Sequence, residues 1–496
     1  MNLYQRLTAA GAADAPFIET PDGAVIRYGD LEAATGKLAN ALTASGVTPG
    51  DRVLVQVEKS ATALLLYLAT LRTGAVYLPL NTGYTRNEVE YFVEDASPAV
   101  IVCDPAAQAD FAAIPGDAVI ETLDADGAGS LADLAAAQAE AFRTVAREPD
   151  DLAAILYTSG TTGRSKGAML SHANLASNAE TLARLWRFSP QDELIHALPI
   201  FHVHGLFVAT NTVMTAGASM LFRPKFDPAD VIALMDRASV MMGVPTYYSR
   251  LLDQPGLTRA TAAGMRLFVS GSAPLLAETH RAFLQRTGHA ILERYGMTET
   301  GMNTSNPYEG ERIPGTVGPP LPGVELRVTD LDTGRPVPRG DIGVIEVRGP
   351  NVFRGYWRNP GKTAQEFRTD GFFITGDLGM IDDRGYVAIV GRGKDLIISG
   401  GLNVYPKEVE AAIDALPGVV ESAVVAAPHP DFGEAVVAFV VGAADEAGVV
   451  RGLSDKLARF KQPKRVIKVE SLPRNTMGKV QKAELRERVK ALFAPV

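Results

Sequence analysis

The segment Tyr157-Thr-Ser-Gly-Thr-Thr-Gly-Arg-Ser-Lys166-Gly167 gathers hydroxyls, glycines and a lysine directly behind the apolar run LAAIL. Gly160 and Gly163 let the backbone turn tightly and aim N–H groups at an anion. Thr158, Ser159, Thr161 and Thr162 add hydroxyl donors, and Lys166 adds positive charge. That is the chemistry of a polyphosphate cradle. The spacing is not that of a Walker A loop, because G-x-x-x-x-G-K-[ST] fails from Gly160. No G-x-G-x-x-G follows an early strand, so hydride transfer to a bound dinucleotide is weakly supported. Gly/Ser loops taken at random are plain surface; here the density of donors beside a lysine points to phosphate.

Other residue types stand out further along. Ser270-Gly-Ser-Ala-Pro274 follows the apolar stretch MRLFV and opens a helical pattern, so its backbone can approach a flat ring closely. Glu299 lies in Tyr295-Gly-Met-Thr-Glu-Thr, Asp377 in Thr375-Gly-Asp, and Lys479 ends the polar turn RNTMGK. His202 and His204 lie in PIFHVHGL, and Arg281 on the amphipathic pattern LLAETHRAFLQRTG. Each also has a plain reading: a surface carboxylate, a solvated lysine, a satisfied cleft histidine, a solvated helix face. No cysteine or acidic cluster accompanies the two histidines, so they do not complete a metal site.

The elements that must carry these residues follow from periodicity. Short apolar runs at 52–57, 99–103, 152–157, 265–269 and 290–294 predict strands, and the stretches 60–72, 172–186, 228–238 and 276–287 predict helices between them. Such alternation predicts an α/β fold with largely parallel sheets. Across 316–391 the pattern turns to short strands and turns (VELRVTD, GVIEVRG, GYVAIVG), a smaller β-rich subdomain within a large domain 1–391. Residues 392–496 predict a small, mobile α+β domain, with a helix over 406–416 and strands near 422–426, 435–441 and 466–469. The Ala-rich stretch 106–146 reads as exposed helix and loop.

Composition bounds the function. A chain of 496 residues predicts about three domains or subdomains and a core that needs no staples. Its one cysteine, Cys103, excludes an internal disulfide framework and cysteine-ligated metal clusters, and fits a reducing, cytoplasmic setting. A net charge of −9 argues against nucleic-acid binding by bulk charge. The opening MNLYQRLTAAGAADAPF is not built like a secretory signal, and no long uninterrupted apolar run predicts a membrane span.

Taken in order, five segments resemble the acyl-adenylate-forming superfamily of acyl-CoA synthetases, adenylation domains and firefly-type luciferases: the loop at 157–167, YGMTET, TGD, Gly391-Arg392-Gly-Lys394-Asp395 and PRNTMGK. The resemblance covers nearly the whole chain and implies that superfamily's fold. It implies a two-step reaction, in which a carboxylate attacks the α-phosphate of ATP to give acyl-AMP and pyrophosphate, and the thiol of coenzyme A then displaces AMP. By the same resemblance Glu299 and Thr158 serve Mg²⁺, and Thr298 contacts the α-phosphate. Gly271, Ser272 and Ala273 border adenine together with Tyr295, Gly296 and Met297, and Asp377 and Arg392 reach the ribose. Lys479 bridges the reacting carboxylate and phosphate. Lys394 is the hinge about which the C-terminal domain turns, bringing Gly400 and Gly401 to the thiol tunnel.

The stretches AAILYTSGTTGRSKGAMLSH, SGSAPLLAETHR and LERYGMTETGMNTSNPY resemble bacterial malonyl-CoA synthetases. That resemblance implies malonate, with methylmalonate also accepted, its distal carboxylate held by Arg281 and His202 in a pocket with Ser272 and Met302. A planar guanidinium suits a carboxylate. Alternatives on the same fold are another short-chain, fatty or aryl acid, transfer to a separate carrier protein, or a silent nucleotide-binding protein. The resemblance also implies control by a lysine acetyltransferase and deacetylase at Lys479. Lys479→Ala is expected to abolish acyl-AMP formation while ATP still binds, and stoichiometric acetylation of that amine to do the same. A normal single-turnover rate in either form overturns the assignment of the lysine.

Overall fold

A computed structural model describes residues 1–158, 165–454, 456–475 and 478–493. Two sheets dominate the large domain. One has eight strands, in the order Gly301–Ser305, Leu292–Met297, Leu267–Ser270, Val240–Gly243, Glu193–His196, Ser219–Phe222, Pro16–Glu19 and Val25–Arg27. The other has six: Val119–Thr122, Val100–Cys103, Arg52–Gln56, Val76–Pro79, Leu152–Thr158 and Lys166–Ser171. Their central strands are parallel and buried on both faces, which is why they read as unbroken apolar runs.

Each sheet ends in an antiparallel hairpin at one edge, and both of those turns bear the chemistry. Leu152–Thr158 runs parallel to Val76–Pro79, then pairs antiparallel with Lys166–Ser171, so the phosphate-type loop leaves the C-terminal end of a parallel strand. Leu292–Met297 runs parallel to Leu267–Ser270, then folds back on Gly301–Ser305, so Thr298 and Glu299 sit in the connecting turn. A four-stranded antiparallel sheet, Glu325–Thr329, Gly343–Arg348, Phe373–Ile381 and Val387–Arg392, matches the predicted β-rich character. The last sheet is built from Ile397–Ser399, Leu402–Val404, Val419–His429, Gly433–Gly442 and Arg465–Val469, with helices Pro406–Asp414, Glu446–Leu453 and Lys482–Val489.

Three expectations shift. The helix predicted over 228–238 stops at Leu234. The Ala-rich stretch is less exposed than expected, because the helix Ser130–Ala136 buries Leu131 and Ala135 in the main core. Leu292–Met297 starts two residues later than predicted and carries on through the YGM of YGMTET, so that motif is strand first and turn second. No helix among the described residues is long and apolar enough to cross a membrane.

One buried lysine ties the two sheets together. Lys59, beyond the end of Arg52–Gln56, donates to His196 Nδ1 at 2.9 Å, to the His196 carbonyl at 2.8 Å and to the Arg223 carbonyl at 2.6 Å. Its ammonium also lies 4.2 Å from the Phe222 ring centre. An ammonium has three hydrogens, and all three are used. Because Nδ1 of His196 accepts, its proton sits on Nε2, which donates to the Gly205 carbonyl at 2.9 Å. Lys59→Met fills the same volume but strands two carbonyls and an imidazole nitrogen. It is expected to destabilise the large domain by about 2–5 kcal/mol, read from the denaturant midpoint; a loss under about 1 kcal/mol overturns the account.

Candidate active site

The expected phosphate ligands Ser159, Gly160, Thr161, Thr162 and Gly163 lie outside the described residues. The loop's two ends are described. Thr158 and Lys166 are register partners, with Thr158 Oγ1 3.4 Å from the Lys166 carbonyl. Lys166 Nζ reaches Glu366 Oε1 at 3.2 Å. Opposite, Glu299 is buried with Oε1 3.1 Å from the Tyr356 hydroxyl oxygen, and burial raises its pKa above the usual carboxylate range. A strap of backbone joins the two hairpins. Phe353 N–H donates to the Glu299 carbonyl at 2.8 Å, while Arg354, Gly355 and Trp357 pair with Met169 and Gly167 on the strand leaving the loop. Among the described residues no three His, Cys, Asp or Glu could hold a metal ion. A buried carboxylate as sparsely partnered as Glu299 suits a Mg²⁺ that takes its other ligands from phosphate and water.

Tyr295, Asp377 and Arg392, expected around the nucleoside, are brought together. Asp377 and Arg392 are register partners on adjacent strands. Tyr295 donates its hydroxyl to Asp377 Oδ2 at 2.5 Å, and Arg392 Nε lies 2.7 Å from Oδ1. Asp377 raises the Arg392 pKa; burial, then Asp377, raise that of Tyr295. The Ser270–Pro274 segment lies beside them. A Cβ added at Gly271 would stand 2.4 Å from the Arg294 guanidinium, so glycine there leaves that side chain its present place. Gly296 has no room either, with the Gly301 carbonyl 2.0 Å from an added Cβ. Ser272 is held at φ +71° and puts Oγ 3.3 Å from His204 Nδ1, with half-buried Ala273 next to it. Met297 pairs with Gly301, and Met302 is buried beside Gly296.

The acid pocket departs from expectation. Arg281 is exposed on the helix Ala277–Thr287, whose inner face is His280, Phe283 and Thr287, and its charge acts on His280. The structure does not bring it to His202; one residue past a buried position, a helical side chain turns roughly 100° away. The guanidinium whose charge acts on His202 and His204 belongs to Arg294, a residue the motif reading passed over. Arg294 is buried, its Nε and Nη2 have no hydrogen-bond partner, and burial lowers its pKa to about 9. The signal in the sequence was a charged pair, Glu293-Arg294, inside an otherwise apolar strand. His202 Nδ1 accepts from the His204 N–H at 3.2 Å, which leaves its proton on Nε2. The charges acting on His202 are Arg294 and Lys479, both cationic; with burial as the larger cause they lower its pKa to about 4. A π-helical segment, His204–Thr210, continues this wall, and His204 Nε2 has no partner.

Lys479 arrives from the C-terminal domain. Its turn closes through Asn475, and Gly478, at φ +72°, stands against Thr246 of the large domain. The residue is exposed overall, yet its ammonium is desolvated, and Arg392, Asp377, Asp395 and Glu299 all act on it. Burial, then Arg392, lower its pKa. At the expected hinge, Lys394 lies in the turn Gly393–Asp395 that follows Arg392, and Asp395 pairs with Arg486 of the last helix. Gly400 and Gly401, both at positive φ, form the exposed tip of the hairpin Ile397–Ser399/Leu402–Val404.

Comparison with known proteins adds to this geometry. Residues 6–357 match the AMP-binding enzyme family and residues 408–479 the AMP-binding enzyme C-terminal domain. A malonate–CoA ligase of Arabidopsis thaliana is 33% identical, over 89% of this chain and 78% of its own. A sulfoacetate–CoA ligase of Cupriavidus necator is 34% identical, over 96% and 95%. ATP-bound MatB from Rhodopseudomonas palustris is 62% identical, covers 99% of both chains and superimposes with TM-score 0.97. The apo form of that protein superimposes less closely, at 0.87.

The histidine pKa values have a consequence for stability. His202 sits near 4 against an ordinary 6.5, so between those values the unfolded chain binds a proton that the folded chain does not. Stability therefore falls as the pH drops from about 6.5 to about 4, by up to about 1.4 kcal/mol per pH unit per such histidine. His202→Gln is expected to flatten this part of the unfolding-midpoint-against-pH curve. An unchanged slope in that variant means that His202 is not held neutral.

Proposed function

This chain belongs to the AMP-binding enzyme family and is an acid–CoA ligase, and from that premise we propose that its acid is malonate, with methylmalonate accepted as well. The carrying observation is the buried Arg294 guanidinium, with unpartnered N–H groups and two neutral histidines beside it. A cation in that setting costs several kcal/mol unless an anion completes it. A dicarboxylate brings the anion: one carboxylate lies on Arg294 and the Nε2–H of His202, and the other remains to react.

The first step sets an acid carboxylate against the α-phosphate of ATP. Lys479 neutralises the two approaching anions, and Thr298 orients the phosphate. Asp377 and Arg392 hold the ribose, with Tyr295 against the base. Lys166 takes the outer phosphates. Glu299 holds Mg²⁺, which supplies charge neutralisation on the phosphates when bound. In the second step the C-terminal domain turns at Lys394, withdraws Lys479 and brings Gly400 and Gly401 to the path of the CoA thiol. Removing Lys479's charge by acetylation stops the first step, so an acetyltransferase and deacetylase would switch the enzyme. The single, buried Cys103 fits a cytoplasmic setting.

A pocket built around a charged partner discriminates strongly, by about 10⁴, whereas one extra methyl is worth only about 1–3 kcal/mol. CoA-dependent AMP release is therefore expected with malonate and methylmalonate and to be minor with acetate, butyrate, octanoate and coumarate. Arg294→Gln is expected to lower malonate kcat/KM by about 10³-fold, and Arg281→Ala to leave it within about threefold. Turnover of a monoacid in preference to malonate, or full malonate activity in Arg294→Gln, overturns the reading.

A further inference from the structure

Between the two hairpins lie Tyr356 and Glu366, two side chains that the reaction above leaves without a task. The buried Tyr356 places its hydroxyl 2.6 Å from Glu366 Oε2 and 3.1 Å from Glu299 Oε1. Glu366 Oε1 receives Lys166 Nζ at 3.2 Å and Lys362 Nζ at 3.0 Å. Lys166 Nζ also lies 4.3 Å from the centre of the Tyr356 ring. Tyr356 belongs to the backbone strap that pairs with the strand leaving the phosphate-type loop. Glu366 ends the helix Pro360–Glu366, which is fastened to the strap by the Tyr356 N–H donating to Thr363 Oγ1 at 2.9 Å.

The phenol has one hydrogen to give and two carboxylates to receive it. The shorter contact gives it to Glu366. Burial acts against the charge on Glu366, yet the Tyr356 hydroxyl, Lys362 and Lys166 together hold its carboxyl below the usual range. Glu299 is left facing a phenol oxygen; burial raises its pKa, and it forms no ion pair among the described residues, Arg392 acting on it only from farther off. Glu366 and Glu299, on either side of one tyrosine hydroxyl, thus play opposite parts: Glu366 is paired with two lysines, and Glu299 has no ion pair of its own among the described residues.

We propose that Tyr356 and Glu366 are positioning residues that hold the loop lysine in reserve, Glu366 competing with the phosphates for Lys166 while Tyr356 keeps both carboxylates in register. The proposal rests on the reading of Lys166 as a phosphate ligand. When ATP enters, Lys166 exchanges Glu366 for the phosphates, and Glu366 keeps the Tyr356 hydroxyl and Lys362, so no buried carboxylate is stranded. When pyrophosphate leaves, Glu366 takes the lysine back. The exchange weakens the hold on both ATP and pyrophosphate and so favours release.

The test of Glu366 uses ATP alone, without any acid, so it reads out even if malonate is not the substrate. Glu366→Gln keeps an acceptor for the Tyr356 hydroxyl and removes the competing charge. Calorimetry is expected to give ATP binding about three- to tenfold tighter, with pyrophosphate inhibition strengthened to match. In a Lys166→Met background the same change is expected to give no gain. Unchanged or weaker ATP binding in Glu366→Gln, or a gain that persists without Lys166, overturns the proposal. Tyr356→Phe keeps the ring and its contact with Lys166. It is expected to slow single-turnover acyl-AMP formation about tenfold or more, with the ATP Kd within about twofold and an unfolding midpoint close to that of the wild type. A wild-type rate in Tyr356→Phe overturns the tyrosine's part.

Discussion

Two anions must touch for acyl-AMP to form, and the arrangement of charge in this chain answers that constraint. Arg294, Lys166, Arg392 and Lys479 come from four separate segments and converge on one cleft. Arg392 is balanced by Asp377, and Lys166 by Glu366. Arg294 has no such balance, and the histidines beside it are kept neutral by burial and by the cations themselves. On the proposed reading, the place where the protein leaves positive charge uncompensated is the place where substrate charge completes it. A site that neutralised every cation internally would gain stability and lose the ability to hold two anions.

The fold meets the constraint by ending each large sheet in an antiparallel hairpin. Parallel strands deliver their C-terminal ends to one side, and each continues there into an antiparallel partner without disturbing the core. The strap at 353–357 makes the two turns one unit, since it hydrogen-bonds to the Glu299 carbonyl at one end and to the strand leaving the loop at the other. Behind the acid pocket, Lys59 and His196 fix the Gly205 carbonyl, where an added Cβ would stand 2.1 Å from the Pro199 carbonyl. The wall bearing His202 and His204 is held from behind by a fully used ammonium, and has little freedom to adjust to an unsuitable acid.

How much of this was legible follows from what kind of signal each residue leaves. Tyr295, Asp377, Arg392 and Lys479 sit in short polar motifs whose order along the chain is distinctive, and the structure gathers them. The layered α/β architecture was legible because buried parallel strands are continuous apolar runs. Arg294 was not, because its position is one step along a strand whose neighbours are also buried, and only the packing reveals that its guanidinium has nothing to bind. Arg281 attracted attention for the opposite reason: a charge on an amphipathic helix is conspicuous in sequence and ordinary in space. Tyr356 and Glu366 lie ten residues apart in a loop and a short helix, and their meeting depends on the strap, which no local pattern encodes.

The C-terminal domain adds the last constraint. In the proposed reaction Lys479 serves one anion pair and then gives way to the thiol, which calls for a reversible attachment. The contacts that hold it are correspondingly slight: a glycine against Thr246, and charges shared with Asp377, Asp395 and Glu299. Lys407 lies near the buried Glu293, whose pKa burial raises to about 7, so this second contact between the domains is also electrostatic. Asp395, by contrast, is bound to Arg486 within its own domain, and Arg392 to Asp377 within the large one. The backbone between those two anchored residues comprises Gly393 and Lys394, the segment at which the proposed rotation of the C-terminal domain would be taken up. In the proposed reaction, loss of pyrophosphate lowers the negative charge around Lys479 and Arg392, and the repulsion between these two cations then favours the domain's departure.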